Sequence, residues 1–174
     1  MNKYLLVMMC LGCCILVNAQ KKNDQAIERR LIEIEDRIAI KNLVDTFSVL
    51  ADVKNIGRQV LLFTEDAIVE SFREGKSTGI LNGRKQIGDA FGGFLKLFDI
   101  VYHLNGQLTL TLQGDKALGI SYCYVTLVGM ENGKRTQTNF YVIYHDEYKK
   151  KNGQWLIAKR QSDFTYTSKN ETQQ

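Results

Sequence analysis

Residues 144–157 read YHDEYKKKNGQWLI. Asn-Gly between apolar runs is the strongest short hairpin signal, so Asn152-Gly153 joins two arms of an antiparallel hairpin. Lys149-Lys150-Lys151 is the solvated tip of that hairpin rather than a basic patch. Asn132-Gly133 repeats the signal, and Gly114-Asp115 marks a third turn. Working outward, the turns predict four strands in a simple meander: Val101–Leu112, Ala117–Met130, Arg135–Lys149 and Gln154–Thr165. No proline interrupts them, since the chain contains none.

Upstream, the apolar spacing changes from strand-like to helical. Ile27, Leu31, Ile34, Ile38, Leu43/Val44, Phe47 and Leu50 recur in steps of three and four, which predicts one long amphipathic helix from Ala26 to Asp52. Asn23 and Asp24 are available to cap its start. The chain breaks at Lys54-Asn55, Ile56 to Phe63 reads as a short second helix, and Ala67 to Phe72 as a strand. Arg73 to Asn82 carries glycines among charged and hydroxyl residues and reads as a loop. A third helix follows, with Ile87, Phe91, Phe94/Leu95 and Phe98 on one side and Gly92-Gly93 weakening its middle. Helices followed by a curved antiparallel meander form an α+β layout in which the helices cover the concave face and a cavity lies between.

The first nineteen residues are set aside. Lys3, an apolar run from Tyr4 to Val17 and then Asn18-Ala19 read as a secretory signal peptide with cleavage before Gln20. The expected product is secreted or periplasmic. A lipoprotein anchored at Cys13 or Cys14 is the rival. The apolar run is too short for a comfortable membrane span. Cys10, Cys13 and Cys14 leave with the leader, so only Cys123 remains and no internal disulfide can form. Residues 20–167 suit one domain, and the polar stretch 168–174 reads as a disordered tail. Removing Lys3 leaves 22 basic and 19 acidic residues, and a net charge of +3 is too mild to imply nucleic acid.

Several segments, taken in order, carry a family resemblance. Ile34-Glu35-Asp36-Arg37-Ile38-Ala39-Ile40 through Phe47 and Asp52, Leu62-Phe63-Thr64-Glu65-Asp66-Ala67, and Gly83-Arg84-Lys85-Gln86-Ile87 come first. His103-Leu104-Asn105, Gly114-Asp115-Lys116-Ala117 and Tyr144-x-Asp146-x-Tyr148 to Asn152-Gly153-Gln154-Trp155-Leu156-Ile157 follow. Together they resemble the SnoaL-like branch of the nuclear transport factor 2-like superfamily. That resemblance implies a cone-shaped α+β barrel, with N-terminal helices packed on the concave face of a curved, mainly antiparallel sheet. The superfamily includes dehydratases, isomerases and polyketide cyclases, and a shared fold does not fix the chemistry.

In the dehydratase-like members an aspartate orients a histidine that moves the substrate proton, and Asp52 and His103 match that pair. A neighbouring carboxylate favours the charged imidazole and burial opposes it, which tunes the group toward neutral pH. The match is incomplete. Ala51 and Ser71 stand where scytalone dehydratase has tyrosines that position a water, and Leu127 stands in place of its second histidine. The family pattern puts Ala117 inward, and strand alternation then turns Ser121, Cys123, Val125 and Leu127 inward too. Phe140, Val142 and Tyr144 follow on the next strand, while His145 falls outside.

The resemblance thus implies a cofactor-independent lyase (a dehydratase) or isomerase acting on a hydrophobic cyclic molecule. Asp52 and His103 are its catalytic pair, and Phe47, Ser71, Phe91, Cys123, Val125, Val142 and Tyr144 line its pocket. No His or carboxylate spacing suits a metal, and none is assigned. The alternative is a non-catalytic ligand-binding or homodimerising domain. A homodimer is expected through Tyr122, Tyr124, Tyr141 and Ile143 on the outer sheet face. Arg160 either faces an anionic ligand or pairs with Asp146, depending on whether a bulge follows Ile157.

Overall fold

In a computed structural model the chain is described over residues 3–172, with side chains from Gln20 onward. The side chains of the expected leader, residues 1–19, and the last two residues of the expected tail lie outside the described residues. The elements in chain order are α1 (Lys3–Asp52), α2 (Ile56–Gln59), a single 3-10 turn (Val60–Leu62), β1 (Phe63–Arg73), β2 (Lys76–Asn82) and α3 (Gly83–Leu95). Four long strands complete the chain: β3 (Ile100–Gln113), β4 (Lys116–Glu131), β5 (Lys134–Lys151) and β6 (Gln154–Glu171). Among the described residues no helix is long and apolar enough to cross a membrane.

The four strands after Asp99 form the expected antiparallel meander. Their turns use the conformation that Asn-Gly tolerates, with φ of 51° and 79° at Asn132-Gly133 and 50° and 77° at Asn152-Gly153. The sheet order is β2-β1-β6-β5-β4-β3. α3 carries the chain from β2 at one edge to β3 at the other, and the meander returns until β6 lies beside β1. That pair is parallel, so the sheet is not antiparallel throughout. β2 and β3 remain unpaired with each other, and the expected barrel is therefore a curved, open sheet.

Two further boundaries differ from the sequence reading. The presumed loop after Arg73 contains β2, hydrogen-bonded to β1 through a two-residue turn at Glu74-Gly75 with φ of 51° and 72°. β6 runs on past Thr165, and Ser168–Glu171, expected within the tail, pair with Thr136–Asn139 of β5. Polar residues suit a strand whose backbone finds partners while its side chains stay wet.

The chain divides into two compact units, Met1–Ile38 and Ala39–Gln174. In the first, the described side chains belong to a helical segment exposed except at the buried Asp36, in which Asn23 and Asp24 lie inside α1 rather than capping it. Ile27, Leu31, Ile34 and Ile38 are each more than half exposed. The apolar residues of α1 therefore form two stripes, not one. The first stops because the next helical positions are Lys41, Asn42 and Asp45, and the second starts at Ile40.

In the second unit, Ile40, Leu43, Val44 and Phe47 pack with Phe63, Ala67, Val69, Ile87, Ala117, Tyr148, Trp155 and Ile157. A second cluster joins Ala51 and Leu95 to Val101, Cys123, Val125, Leu127, Phe140, Val142 and Tyr144. Register shifts interrupt β1, β3 and the β5–β6 pair, bending the sheet around these residues.

Candidate active site

Asp52 is the last residue of α1, and the helix end is built to hold it. Lys54 takes a left-handed conformation with φ of 54°. Its N–H returns to the Ala51 carbonyl at 2.9 Å, and that of Asn55 to Leu50 at 2.8 Å. This is the paired hydrogen-bond closure of a Schellman motif. The Lys54 ammonium also donates to the Phe98 carbonyl, tying the helix end to the segment that enters β3. The Asn55 side chain caps α2, so Asp52 is not spent as a cap.

His103 stands on β3 opposite Val125. Its Nδ1 lies 2.7 Å from Asp52 Oδ1, with the imidazole 8% and the carboxylate 23% exposed. A carboxylate accepts, so Nδ1 carries the proton and Nε2 keeps a lone pair. One turn earlier on α1 and two residues along β3, Ser48 donates to Asn105 Oδ1 at 3.0 Å. Asn105 Nδ2 donates to Asp45 at 3.1 Å. Helix and strand are thus joined at two successive levels, and the second fixes the spacing of the first. Burial pushes the His103 pKa below its ordinary 6.5; Asp52 opposes that shift and the charge of Arg160 adds to it.

Of the two readings of Arg160, the structure shows the pairing with Asp146. Tyr148 is opposite Ile157 and Glu147 opposite Lys159, so Ala158 is an extra residue in β6. That bulge turns Arg160 inward, where the side chain is 1% exposed. Its Nε and Nη2 donate to the two oxygens of Asp146 at 2.8 and 2.6 Å. Tyr148 donates to the same carboxylate at 2.8 Å. Tyr148 reaches it because Gly119 leaves room, as a Cβ there would meet the tyrosine ring at 2.8 Å. The guanidinium carbon lies in the corner between the rings of Phe47 and Tyr144, 4.3 and 4.2 Å from their centres. Its third nitrogen, Nη1, is buried and has no hydrogen-bond partner among the described residues.

His103 and Arg160 border a cavity of about 400 Å³. Phe47, Ser71, Phe91, Val125 and Tyr144 line it, together with His103. Cys123 and Val142 do not. Both are inward and buried, as alternation required, but they belong to the packed layer beside the cavity rather than its wall. Burial raises the Cys123 thiol pKa to about 12, which favours the protonated thiol. Burial likewise raises that of the Tyr144 phenol, which remains a proton donor. Sequence reading did not anticipate Gln59, Thr78, Leu81, Arg73 or Ser162 in the wall. Thr78 and Leu81 come from β2, the unrecognised strand, whose signal was Glu74-Gly75 between two short β-prone runs.

The SnoaL-like domain model matches residues 32–161. The chain belongs to the SnoaL-like family. No curated protein matches it in sequence. Among solved structures it is similar to a proposed scytalone dehydratase from Novosphingobium aromaticivorans, with a TM-score of 0.69 and 20% identity over 81% of this chain and 91% of that one. It is also similar to a type 2 hexachlorocyclohexane dehydrochlorinase, LinA, with a TM-score of 0.70 and 21% identity over 81% and 93%. A third relative is the β subunit of a proposed aromatic-ring-hydroxylating dioxygenase from N. aromaticivorans, with a TM-score of 0.65 and 15% identity over 78% and 92%. At these identities the likeness concerns the fold. The chain is a SnoaL-like protein that shares the α+β fold of these neighbours.

Proposed function

We propose that this SnoaL-like protein is a cofactor-independent lyase that eliminates a leaving group from a hydrophobic cyclic substrate. The observation that carries the reading is the 2.7 Å contact between Asp52 and His103 at the wall of a largely apolar cavity. Nε2 of His103 takes the proton from a ring carbon, the C–H electron pair becomes the new C=C bond, and the adjacent carbon loses its leaving group with that bond's electrons. Asp52 stabilises the imidazolium that forms. The free Nη1 of Arg160 receives the departing hydroxide or halide, and Tyr144 supplies a further donor. The net change is loss of HX. Dehydratase and dehydrochlorinase, the names carried by two of the fold relatives, both denote loss of HX.

Native mass spectrometry of the purified chain tests for a retained small molecule. Incubation with cyclic β-hydroxy ketones and halogenated cyclohexanes tests for alkene formation. Failure of every probe together with an empty cavity would count against the lyase. The base must be neutral, and burial holds His103 below 6.5. The acid limb of kcat/KM is therefore expected below pH 6.5. Asp52 raises the imidazole pKa, so in Asp52→Asn the residual activity should show its limb at still lower pH. The unfolded chain binds this proton first on acidification, so the stability linked to His103 falls as pH drops below 6.5.

A second reading, homodimerisation through the outer sheet face, is favoured by an aromatic row there. Tyr124 and Tyr141 lie 5.0 Å apart between ring centres and Tyr141 and Tyr166 5.4 Å apart, with Tyr122 47% exposed beside them. Tyr122→Lys is expected to break this sheet-face contact and lower the mass seen in light scattering. An unchanged mass would remove this face from the interface.

A further inference from the structure

The exposed apolar stripe of the first unit has a defined phase. Ile27, Leu31, Ile34 and Ile38 are 54%, 54%, 52% and 55% exposed. Their steps of four, three and four are those of heptad positions d, a, d and a. The stripe is closed at both ends by polar residues in the same phase. Gln20 donates to Asp24 at 2.9 Å before it, and Lys41 to Asp45 at 2.6 Å after it.

The flanking charges select an orientation. Glu28 and Glu35 occupy e positions, and Arg30 and Arg37 occupy g positions. In a parallel, in-register assembly a g residue faces the e′ residue five positions further on, which sets Arg30 against Glu35 of the neighbouring helix. In an antiparallel assembly g faces g′ and e faces e′, opposing Arg to Arg and Glu to Glu. Leucine at an a position with isoleucine at d shifts the preference from two strands to three or four. The segment is already helical and continuous with the rest of α1, so association does not have to nucleate it.

We propose that this stripe is the core of a short parallel bundle in which the α1 helices of three or four copies of this chain pack in register. It uses residues outside the cavity and outside the outer sheet face, and it stands independently of the catalytic reading.

Disulfide trapping in the full chain carrying Cys10→Ser, Cys13→Ser and Cys14→Ser tests it, because the remaining Cys123 is buried. Ile34→Cys should cross-link to its own copy under mild oxidation, whereas Arg29→Cys, on the far side of the helix, should not. Light scattering in a Tyr122→Lys background should give a mass of three or four chains that falls in Leu31→Asp. The mass should also fall in Arg30→Glu and return when Glu35→Arg is added. Equal cross-linking at positions 29 and 34, or a monomeric mass, would overturn the bundle. Cross-linking between Ile27→Cys and Ile38→Cys chains in a mixture would overturn the parallel orientation. A dimeric mass would overturn the stoichiometry.

Discussion

Replacing His103 with glutamine is expected to lower turnover by about a hundredfold to ten-thousandfold, the usual contribution of a general acid–base group. Glutamine fills a similar volume and keeps a donor for Asp52, which lies 2.7 Å from the imidazole in the native chain. It cannot titrate. The Ser48–Asn105–Asp45 link remains to hold helix to strand, so the melting temperature should change little. Loss of kcat with nearly unchanged ligand binding is the outcome that identifies a base. A variant that unfolded easily but turned over substrate normally would show that the pair serves only to fasten α1 to β3.

Asp146→Ala should have the largest effect on stability. Its carboxylate is fully buried, and it accepts two hydrogen bonds from Arg160 and one from Tyr148. Removing it leaves a guanidinium without a counter-charge in the interior, which typically costs about 3–5 kcal/mol. That is a large share of a domain's usual net stability of about 5–15 kcal/mol. Urea unfolding would measure it, and a loss under about 1 kcal/mol, the scale of an exposed ion pair, would show that water reaches the site. The double variant Asp146→Leu with Arg160→Met is expected to recover most of the loss, because replacing both charges removes the unpaired one. It should still lack activity if Nη1 receives the leaving group. Stability and turnover would then separate in one protein.

Much of this arrangement was legible in the sequence. The Asn-Gly turns placed β3 to β6, and period-two alternation correctly sent His145 outward and Tyr144 inward. The Asp52–His103 pairing came from the family resemblance rather than from spacing, since the two residues are joined by tertiary packing alone. Three features escaped for physical reasons. β2 is an edge strand with exposed side chains, so it carries little burial pattern. The first stripe of α1 looked continuous with the second because both have helical spacing, although they occupy different faces. Cys123 and Val142 were placed on the correct side of the sheet, but alternation gives a direction and not a depth.

The additional residue at Ala158 has a consequence for how such proteins diversify. It shifts the phase of everything after it in β6, so the basic side chain presented inward is Arg160 and not Lys159. Which cation is available to a ligand is thereby set by the bulge as well as by the choice of amino acid. Strict alternation from Ile157 without the bulge would instead turn Lys159 inward, exchanging a planar fork for a flexible ammonium without substituting any residue. Relatives compared without a gap at this point would have their inward cation assigned to the wrong column.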